Sequence, residues 1–240
     1  MDVSILFEDA AFLAINKPVG VVVNRAESVK GETIQDWMEK RINTNNPINT
    51  NTQITEENKD FVNRAGIVHR IDKETTGILL IAKTLSSFIE LQRQFKERAI
   101  SKTYMAIVHG ELTPKEGEVR APVGRLPWNR ERFGIVPGGK ESVTKYSAIK
   151  TIEKDGEKLT LVSVHPETGR THQIRVHMKY INHPLLGDYL YAGRKTSRDD
   201  REWATRVMLH AWKIVLQHPT TGETLAIEAP IPDDMNRIIS

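Results

Sequence analysis

GIVHRIDKETTGILLIAK, residues 66–83, combines two strand-like segments with a polar turn between them. Alternating apolar and polar residues over 67–71 predict a strand, and the continuous apolar run of 78–82 predicts a second one. The residues between them have turn composition and carry Asp72. Because a strand on each side would fix the turn, this carboxylate is a candidate nucleophile or acid. From this stretch alone, a turn aspartate that bonds only to its own backbone is the alternative.

The composition is that of an ordinary globular protein. The chain has 240 residues, of which 39% are hydrophobic and 27% are charged. Its formal net charge of +3 permits a polyanionic partner. The absence of cysteine excludes disulfides, thiolate nucleophiles and thiolate metal sites. Because the sequence shows neither a signal-peptide pattern nor an apolar run of roughly 20 residues, we expect a cytoplasmic protein without membrane association.

Strand-like segments outnumber helical ones along the chain. Further strands are predicted at 5–7, 12–16, 21–24, 101–110, 143–149, 159–164, 208–216 and 224–229. Helices are predicted at 33–42, from a capping box at Ser87, and from near Thr171. This irregular succession predicts an α+β fold with a large mixed, mainly antiparallel sheet flanked by a few helices. We expect one domain over 1–240, with an exposed Asn/Thr-rich loop at about 43–60.

A second informative segment is HPETGRTHQIRVHMKYINHPLLGD, residues 165–188. A helix from near Thr171 would place His172, Arg175 and Lys179 on one side. An arginine on a rigid helix can bind a carboxylate through two parallel hydrogen bonds, and Asp72 is the candidate partner. Five basic or imidazole side chains within ten residues indicate an anionic ligand. They are Arg170, His172, Arg175, His177 and Lys179.

The histidines of this segment do not have the spacing of a metal site. His172 and His177 are five residues apart, whereas zinc-binding helices place two histidines at i and i+4 on one face. We therefore expect no metal.

Several motifs of the sequence resemble those of a known family. HRIDKETTGILLIAK resembles the HRLD-x-x-T-S-G-L-L-L-x-A-K signature of the RluA-type pseudouridine synthases, which isomerise uridine in RNA. INKPVGVVVN, KTYMAIVHG, ETGRTHQIRVHMKYINHPLLGD and MLHAWKIVLQHPTTGE resemble further blocks of that family, in the family's order. The resemblance spans roughly residues 5–232. It implies the pseudouridine-synthase catalytic fold, in a short form without the S4 RNA-binding domain.

The resemblance also implies roles for single residues. Asp72 corresponds to the family's nucleophilic aspartate, Tyr104 to the tyrosine that packs on the base, and Arg175 to the basic residue that pairs with the aspartate. Substrate-binding roles fall to Arg70, which helps displace the base, and to His69, Arg170, His172 and Leu209. The chain departs mildly from the signature, with Ile71 in place of leucine and Thr76 in place of serine.

The implied activity is RNA pseudouridine synthesis, which needs no redox cofactor because nothing is oxidised. The expected partner is RNA, and the expected state is a monomer. GRLPWNRERFGIVPGGKESVTKY, residues 124–146, resembles the large-subunit rRNA branch, which favours rRNA over tRNA. Two alternatives are an inactive RNA-binding or ribosome-assembly factor on the same fold, and a hydrolase that uses Asp72 with Glu74 as paired carboxylates.

Overall fold

The computed structural model describes residues 1–27, 29–45, 55–154 and 156–240, and divides them into two compact units. Unit 1 contains Met1–Ile100 and Lys213–Ala229, and unit 2 contains Ser101–Trp212 and Pro230–Ser240. The expectation of a single catalytic domain over 1–240 stays a prediction.

The strands are, in chain order, β1 (Ser4–Glu8), β2 (Phe12–Lys17), β3 (Thr76–Ala82), β4 (Ser101–His109), β5 (Glu116–Arg120), β6 (Val123–Leu126), β7 (Asn129–Ile135), β8 (Val143–Lys154), β9 (Glu157–Pro166), β10 (Leu209–Gln217) and β11 (Thr224–Glu228). The helices are α1 (Ile34–Asn45), α2 (Lys59–Asn63), α3 (Leu85–Lys96), α4 (Gln173–Tyr180), α5 (Arg194–Asp199) and α6 (Asp233–Ile239), with a 3₁₀ turn at Asp200–Glu202. The boundary between the units falls inside β10.

Unit 1 is built on antiparallel apolar strands. β1 pairs with β2, and β2 pairs with β3 in a register from Phe12 opposite Ala82 to Lys17 opposite Gly77. Every residue of β3 is buried, which explains why its sequence is a continuous apolar run without alternation. The C-terminal part of β10 pairs antiparallel with β11.

Unit 2 is a second antiparallel arrangement. β4 pairs with β9, β9 with β8 and β8 with β5, while β6 and β7 form a separate two-stranded hairpin. One hydrophobic cluster of this unit joins Ala106 and Val108 of β4 to Ile174 and Met178 of α4. The predicted α+β class with a large, mainly antiparallel sheet is confirmed.

The strand predicted immediately before Asp72 is wrong. Ile67 forms only an isolated bridge with Ile81, and residues 68–75, between that bridge and β3, form no strand. Further along, the His69 side chain replaces a backbone partner, because its Nε2 accepts the Leu80 N–H at 2.9 Å. A side chain can satisfy a strand N–H in this way without leaving a periodic pattern in the sequence.

The strand predicted at 21–24 is also wrong, because its carbonyl groups serve a helix instead. The carbonyl oxygens of Val22 and Val23 accept the N–H groups of Ile34 and Gln35 at 3.0 Å each, at the start of α1. These N–H groups have no partner within the helix, so the preceding segment satisfies them. α1 then continues to Asn45, beyond the predicted start of the loop at about 43–60, and residues 46–54 of that loop lie outside the described residues.

Helix positions differ from prediction by a few residues. α3 begins before Ser87, because Thr84 is the N-cap and its side chain accepts the Ser87 N–H. The helix predicted from near Thr171 begins at Gln173. The sequence did not predict six further elements, which are α2, α5, α6 and the strands β5–β7. Within the described ranges, no helix is long and apolar enough to cross a membrane.

Asp9 and His218 join the two sequence segments of unit 1. Asp9 Oδ1 accepts the N–H groups of Ala11 and Phe12 at 2.7 and 2.9 Å, and Oδ2 lies 2.6 Å from His218 Nε2. Burial raises the pKa of Asp9, but the hydrogen bonds from Phe12 and His218 outweigh burial and hold that pKa below its ordinary value. The HPTTGE segment therefore has a structural role here.

The lowered pKa predicts an acid-sensitive contribution to stability. A carboxylate whose folded pKa is depressed stabilises the protein above its unfolded pKa of about 4, and this contribution is lost as pH falls through the folded pKa. Asp9→Ala should lower the free energy of unfolding at pH 7 by about 2 kcal/mol and flatten its decline in acid, measured by urea denaturation. The exposed Asp2→Ala is the matched control, and equal stability of the two variants would contradict this account.

Candidate active site

Asp72 lies on a tight turn that leads into β3. The turn is closed by the Thr75 N–H, which donates to the Asp72 carbonyl oxygen at 3.1 Å. Ile71 is buried, the Asp72 side chain is half-exposed, and Arg70 is exposed. The carboxylate therefore stands at the surface of unit 1 on backbone that is fixed by a buried residue before it and a buried strand after it.

Lys17, at the end of β2, holds the same turn from inside. Its side chain is fully buried, and Nζ donates to the carbonyl oxygens of Pro18, Val21 and Lys73 at 2.7, 3.0 and 3.1 Å. The Gly20 N–H also donates to the Lys73 oxygen, at 3.0 Å. An ammonium group has three N–H donors, and three carbonyls match them. Lys17 thus ties the residue after Asp72 to the N-terminal segment.

His69 has a structural attachment as well as its predicted role in substrate binding. Its Nε2 accepts the Leu80 N–H, so that nitrogen is unprotonated in this arrangement and the ring is fixed on β3. The ring centre lies 4.6 Å from that of Phe95. Substrate binding by His69 stays a prediction.

Arg175 lies in the core of unit 2, although the helical pattern placed it on a polar face with His172 and Lys179. Its side chain is 5% exposed, and it forms a bidentate ion pair with Asp188. Nε donates to Oδ2 at 2.8 Å and Nη2 donates to Oδ1 at 2.9 Å. A buried guanidinium is tolerated because a fully buried carboxylate matches its planar fork.

Asp188 also shapes the loop that carries it. Its Oδ1 accepts the N–H groups of Leu190 and Tyr191 at 3.1 and 3.2 Å. The carboxylate is therefore held by its own backbone before it binds Arg175. The sequence pattern alone does not identify Asp188 as a site residue. Its only signal is an acidic residue directly after the apolar pair Leu185–Leu186 and a glycine.

Tyr191 connects Arg175 to His172. Its ring centre is 5.1 Å from the guanidinium carbon of Arg175. Its hydroxyl oxygen accepts the Phe133 N–H at 3.0 Å and lies 2.8 Å from His172 Nδ1. The Tyr191 hydroxyl thus bonds both the hairpin backbone at Phe133 and the His172 ring. His172 adopts a left-handed backbone with φ 56°, which costs energy for a non-glycine residue.

The other polar residues of this signature stabilise the start of α4. Gln173 Oε1 accepts from the Thr168 hydroxyl and the Arg170 N–H, and its Nε2 donates to the Val143 carbonyl. His177 is fully buried between Thr144 and the Ala121 carbonyl, at 2.9 and 3.1 Å, and burial lowers its pKa. Gln173 and His177 are therefore structural residues. In the described part of the chain, no three His, Asp or Glu side chains are grouped to hold a metal ion.

Tyr104 and Leu209 belong to one hydrophobic cluster of unit 2, together with Ile174. Leu209 is 4% exposed, and its carbonyl oxygen accepts from Nη1 of the buried Arg206 at 3.3 Å. Arg206 is held in turn by two hydrogen bonds to Asp234, at 2.6 and 2.8 Å. The predicted aromatic and aliphatic pocket residues thus belong to a cluster that also includes a residue of α4.

The predicted site residues divide between the units. Arg70, His69 and Asp72 belong to unit 1, and the other five belong to unit 2. Within unit 2 the structure joins Arg175 to His172 through Tyr191 and joins Tyr104 to Leu209 through their cluster. Arg170, half-exposed, lies at the start of α4. The pairing of Arg175 with Asp72 stays a prediction.

Comparison with known proteins agrees with these motifs. The family described as RNA pseudouridylate synthase matches residues 11–180. The chain belongs to this family. The resemblance to the RluA-type pseudouridine synthases is thereby confirmed.

Individual proteins similar to the chain are also pseudouridine synthases, and the chain spans about two thirds of the length of the curated relatives. The chain is 39% identical over 238 residues to ribosomal large subunit pseudouridine synthase D of Nitrosomonas europaea, covering 98% of this chain and 64% of that protein. It is 37% identical over 239 residues to the uncharacterized RNA pseudouridine synthase YlyB of Bacillus subtilis, covering 100% of this chain and 72% of that protein. The solved structure of human RNA pseudouridylate synthase domain containing 1 has a TM-score of 0.73 and 26% identity, covering 95% of this chain and 83% of that chain.

The turn at Asp72 should depend on Lys17. Lys17→Met would leave the Pro18 and Val21 carbonyl oxygens without the ammonium donor and the Lys73 oxygen with the Gly20 N–H, and should lower the free energy of unfolding by about 2–4 kcal/mol. Urea denaturation measures this change, and hydrogen exchange at the Gly20 N–H should accelerate. Lys73→Met is the matched control, because the Lys73 side chain is exposed and only its carbonyl accepts the bond. Equal losses in both variants would refute the role of the ammonium group.

Proposed function

We propose that this chain is an RNA pseudouridine synthase that isomerises specific uridines, with large-subunit rRNA as the substrate and tRNA as the less favoured one. Membership of the pseudouridylate synthase family carries the proposal, and the resemblance of HRIDKETTGILLIAK to the family signature supports Asp72 as the nucleophile. Several relatives named ribosomal large subunit pseudouridine synthase D are 36–39% identical to the chain, which supports rRNA. Such a substrate implies a cytoplasmic enzyme.

The reaction breaks the bond from N1 of uracil to C1′ of ribose, turns the base, and joins C5 to C1′. C5 loses its hydrogen as a proton and N1 gains one, so the bonds balance without an oxidant or a redox cofactor. We assign the nucleophile to Asp72. Attack at C1′, attack at C6, and assistance to glycal formation are three routes open to a carboxylate.

We assign to Arg175 the orientation of the Asp72 carboxylate. A guanidinium has five N–H donors, and Asp188 takes two of them along one edge. A guanidinium can bind carboxylates along more than one edge, and an opposite charge beside Asp72 favours the ionised form of the nucleophile. Because Asp188 and Tyr191 fix the plane of the guanidinium, the second carboxylate would be aimed and not merely attracted.

Tyr104 and Leu209 receive the base in this proposal. A uridine in folded RNA must leave its stack to react, at a cost of a few kcal/mol, and an aromatic ring in the pocket offsets that cost. Stacking gives Tyr104 a role that needs no unusual pKa. The acceptor of the C5 proton is either Tyr104 or a bound water. Arg70, exposed beside Asp72, is assigned to displacing the base, and His69, Arg170 and His172 to binding the RNA.

The decisive assay uses RNA from a strain that lacks this protein, labelled with tritium at C5 of uridine. Joining C5 to C1′ releases tritium, and chemical mapping locates the pseudouridine. Wild-type protein should release tritium, and Asp72→Ala should lose at least about 10³-fold in rate. Glu74→Ala, two residues along the same turn, should retain activity.

Other outcomes would select the alternatives. Activity that survives in Asp72→Ala would refute the nucleophile. Release of free uracil, with loss of activity in Glu74→Ala, would identify a hydrolase with paired carboxylates. RNA binding without any product would identify an inactive binding or assembly factor.

A further inference from the structure

The β6–β7 hairpin, residues 123–135, presents a tryptophan to solvent. Arg125 pairs with Phe133 across the two strands, and Pro127 and Trp128 lie at the tip. Trp128 is 78% exposed, the highest value among the large hydrophobic side chains of the described residues. A single exposed hydrophobic residue is ordinary by itself, so further features of the hairpin must decide whether it has a function.

The charge around Trp128 is one such feature. The hairpin contains three arginines and one glutamate, and the side chains of Arg125 and Arg132 are exposed. Lys140, also exposed, is joined to the hairpin by two backbone hydrogen bonds with Val123, each 2.9 Å. Basic residues around an exposed aromatic ring suit single-stranded RNA, in which phosphates bind the cations and an unpaired base stacks on the ring.

The base of the hairpin is fixed to the elements that hold Arg175. The Phe133 N–H donates to the Tyr191 hydroxyl, and the Phe133 ring centre is 5.6 Å from that of His172. The Arg125 guanidinium lies 5.2 Å from the Phe133 ring centre on the same hairpin. A Cβ added at Gly134 of β7 would come within 2.7 Å of a methyl carbon of Leu126 in β6, so the strands pack closely. The strands that carry Trp128 are thus fixed by contacts with Tyr191 and His172.

We propose that this hairpin, which we call the Trp128 hairpin, binds an RNA strand beside the target uridine, with Trp128 stacked on an unpaired base and Arg125 and Arg132 on phosphates. This inference rests on the proposed function and adds to it a surface that selects the substrate. A protein partner fits less well, because the centre of a protein interface is depleted of charge, whereas Trp128 and Pro127 are flanked by the exposed Arg125, Glu131 and Arg132.

The test measures, by fluorescence anisotropy, the affinity for unmodified large-subunit rRNA transcribed in vitro, together with single-turnover rates of pseudouridine formation on that RNA. Trp128→Ala should raise Kd about 5- to 100-fold, the effect of one lost stack. Trp128→Leu should weaken binding similarly, because it keeps the apolar side chain but lacks a π face. Trp128→Tyr should stay within about threefold of wild type. The rate at saturating RNA should change little, because Trp128 does not touch the reacting atoms.

Two controls separate stacking from charge and from general surface change. Ile149→Ala removes another exposed apolar side chain of unit 2, 52% exposed, and should leave Kd unchanged. Arg132→Gln should reduce the slope of log Kd against log salt by about one, whereas Trp128→Ala should leave that slope unchanged.

The inference and the proposed function fail in different ways. Wild-type affinity in Trp128→Ala, with pseudouridine formed normally, would overturn the inference and leave the enzyme assignment intact. Equal weakening by Trp128→Tyr and Trp128→Ala would also overturn it, because stacking would not be the cause. Weakened binding in Trp128→Ala and Trp128→Leu, in a protein that forms no pseudouridine, would support the surface and refute the activity.

Discussion

The buried ion pair between Arg175 and Asp188 is the constraint on which the candidate site in unit 2 depends. Two charges removed from water are stable only when good geometry and further hydrogen bonds offset their lost hydration, and removing one partner generally costs about 3–5 kcal/mol. Here the carboxylate accepts two N–H groups of its own loop as well as the guanidinium fork. Tyr191, positioned by that loop, covers the guanidinium and reaches His172 and the β6–β7 hairpin. The ion pair is therefore linked, through Tyr191, to α4, to the residue that precedes it and to the β6–β7 hairpin.

Unit 1 fixes its candidate nucleophile by a related device. The ammonium of Lys17 is buried and saturated by three backbone carbonyls, and one of them belongs to the residue after Asp72. In both units a buried cation therefore binds irregular backbone or a side chain on it. Lys17 bonds the turn after Asp72, and Arg175 bonds Asp188 in the loop before α5. The half-exposed Asp72 side chain and the exposed Arg70 side chain are carried by the unit 1 backbone.

The sequence predicted the parts of the fold that produce a local pattern. β2, β3, β4 and β9 are apolar or alternating runs, and the turn at Asp72 has the composition of a turn. It also predicted the family, because five motifs occur in order. The segment before Asp72 was misassigned because the His69 side chain, and no second strand, satisfies β3 at that point.

The contacts that define the site could not be predicted in the same way. Lys17 binds Lys73, Asp188 binds Arg175, and Arg206 binds Asp234, all at separations without any sequence period. Helical spacing gave Arg175 the correct helix but the wrong environment, since periodicity treats every arginine as a polar-face residue. Only the structure shows that the carboxylate of Asp188 is buried next to Arg175.

We propose that the fixed plane of the Arg175 guanidinium, and not its positive charge alone, orients the carboxylate of Asp72. Arg175→Lys tests this most directly, because lysine keeps the charge but cannot form two parallel hydrogen bonds with Asp188 or cover the Tyr191 ring in the same way. The measurement is the single-turnover rate of pseudouridine formation at saturating RNA, with urea denaturation confirming that the variant is folded. We expect a loss of at least about 100-fold in rate. A folded variant with a rate within twofold of wild type would contradict the account.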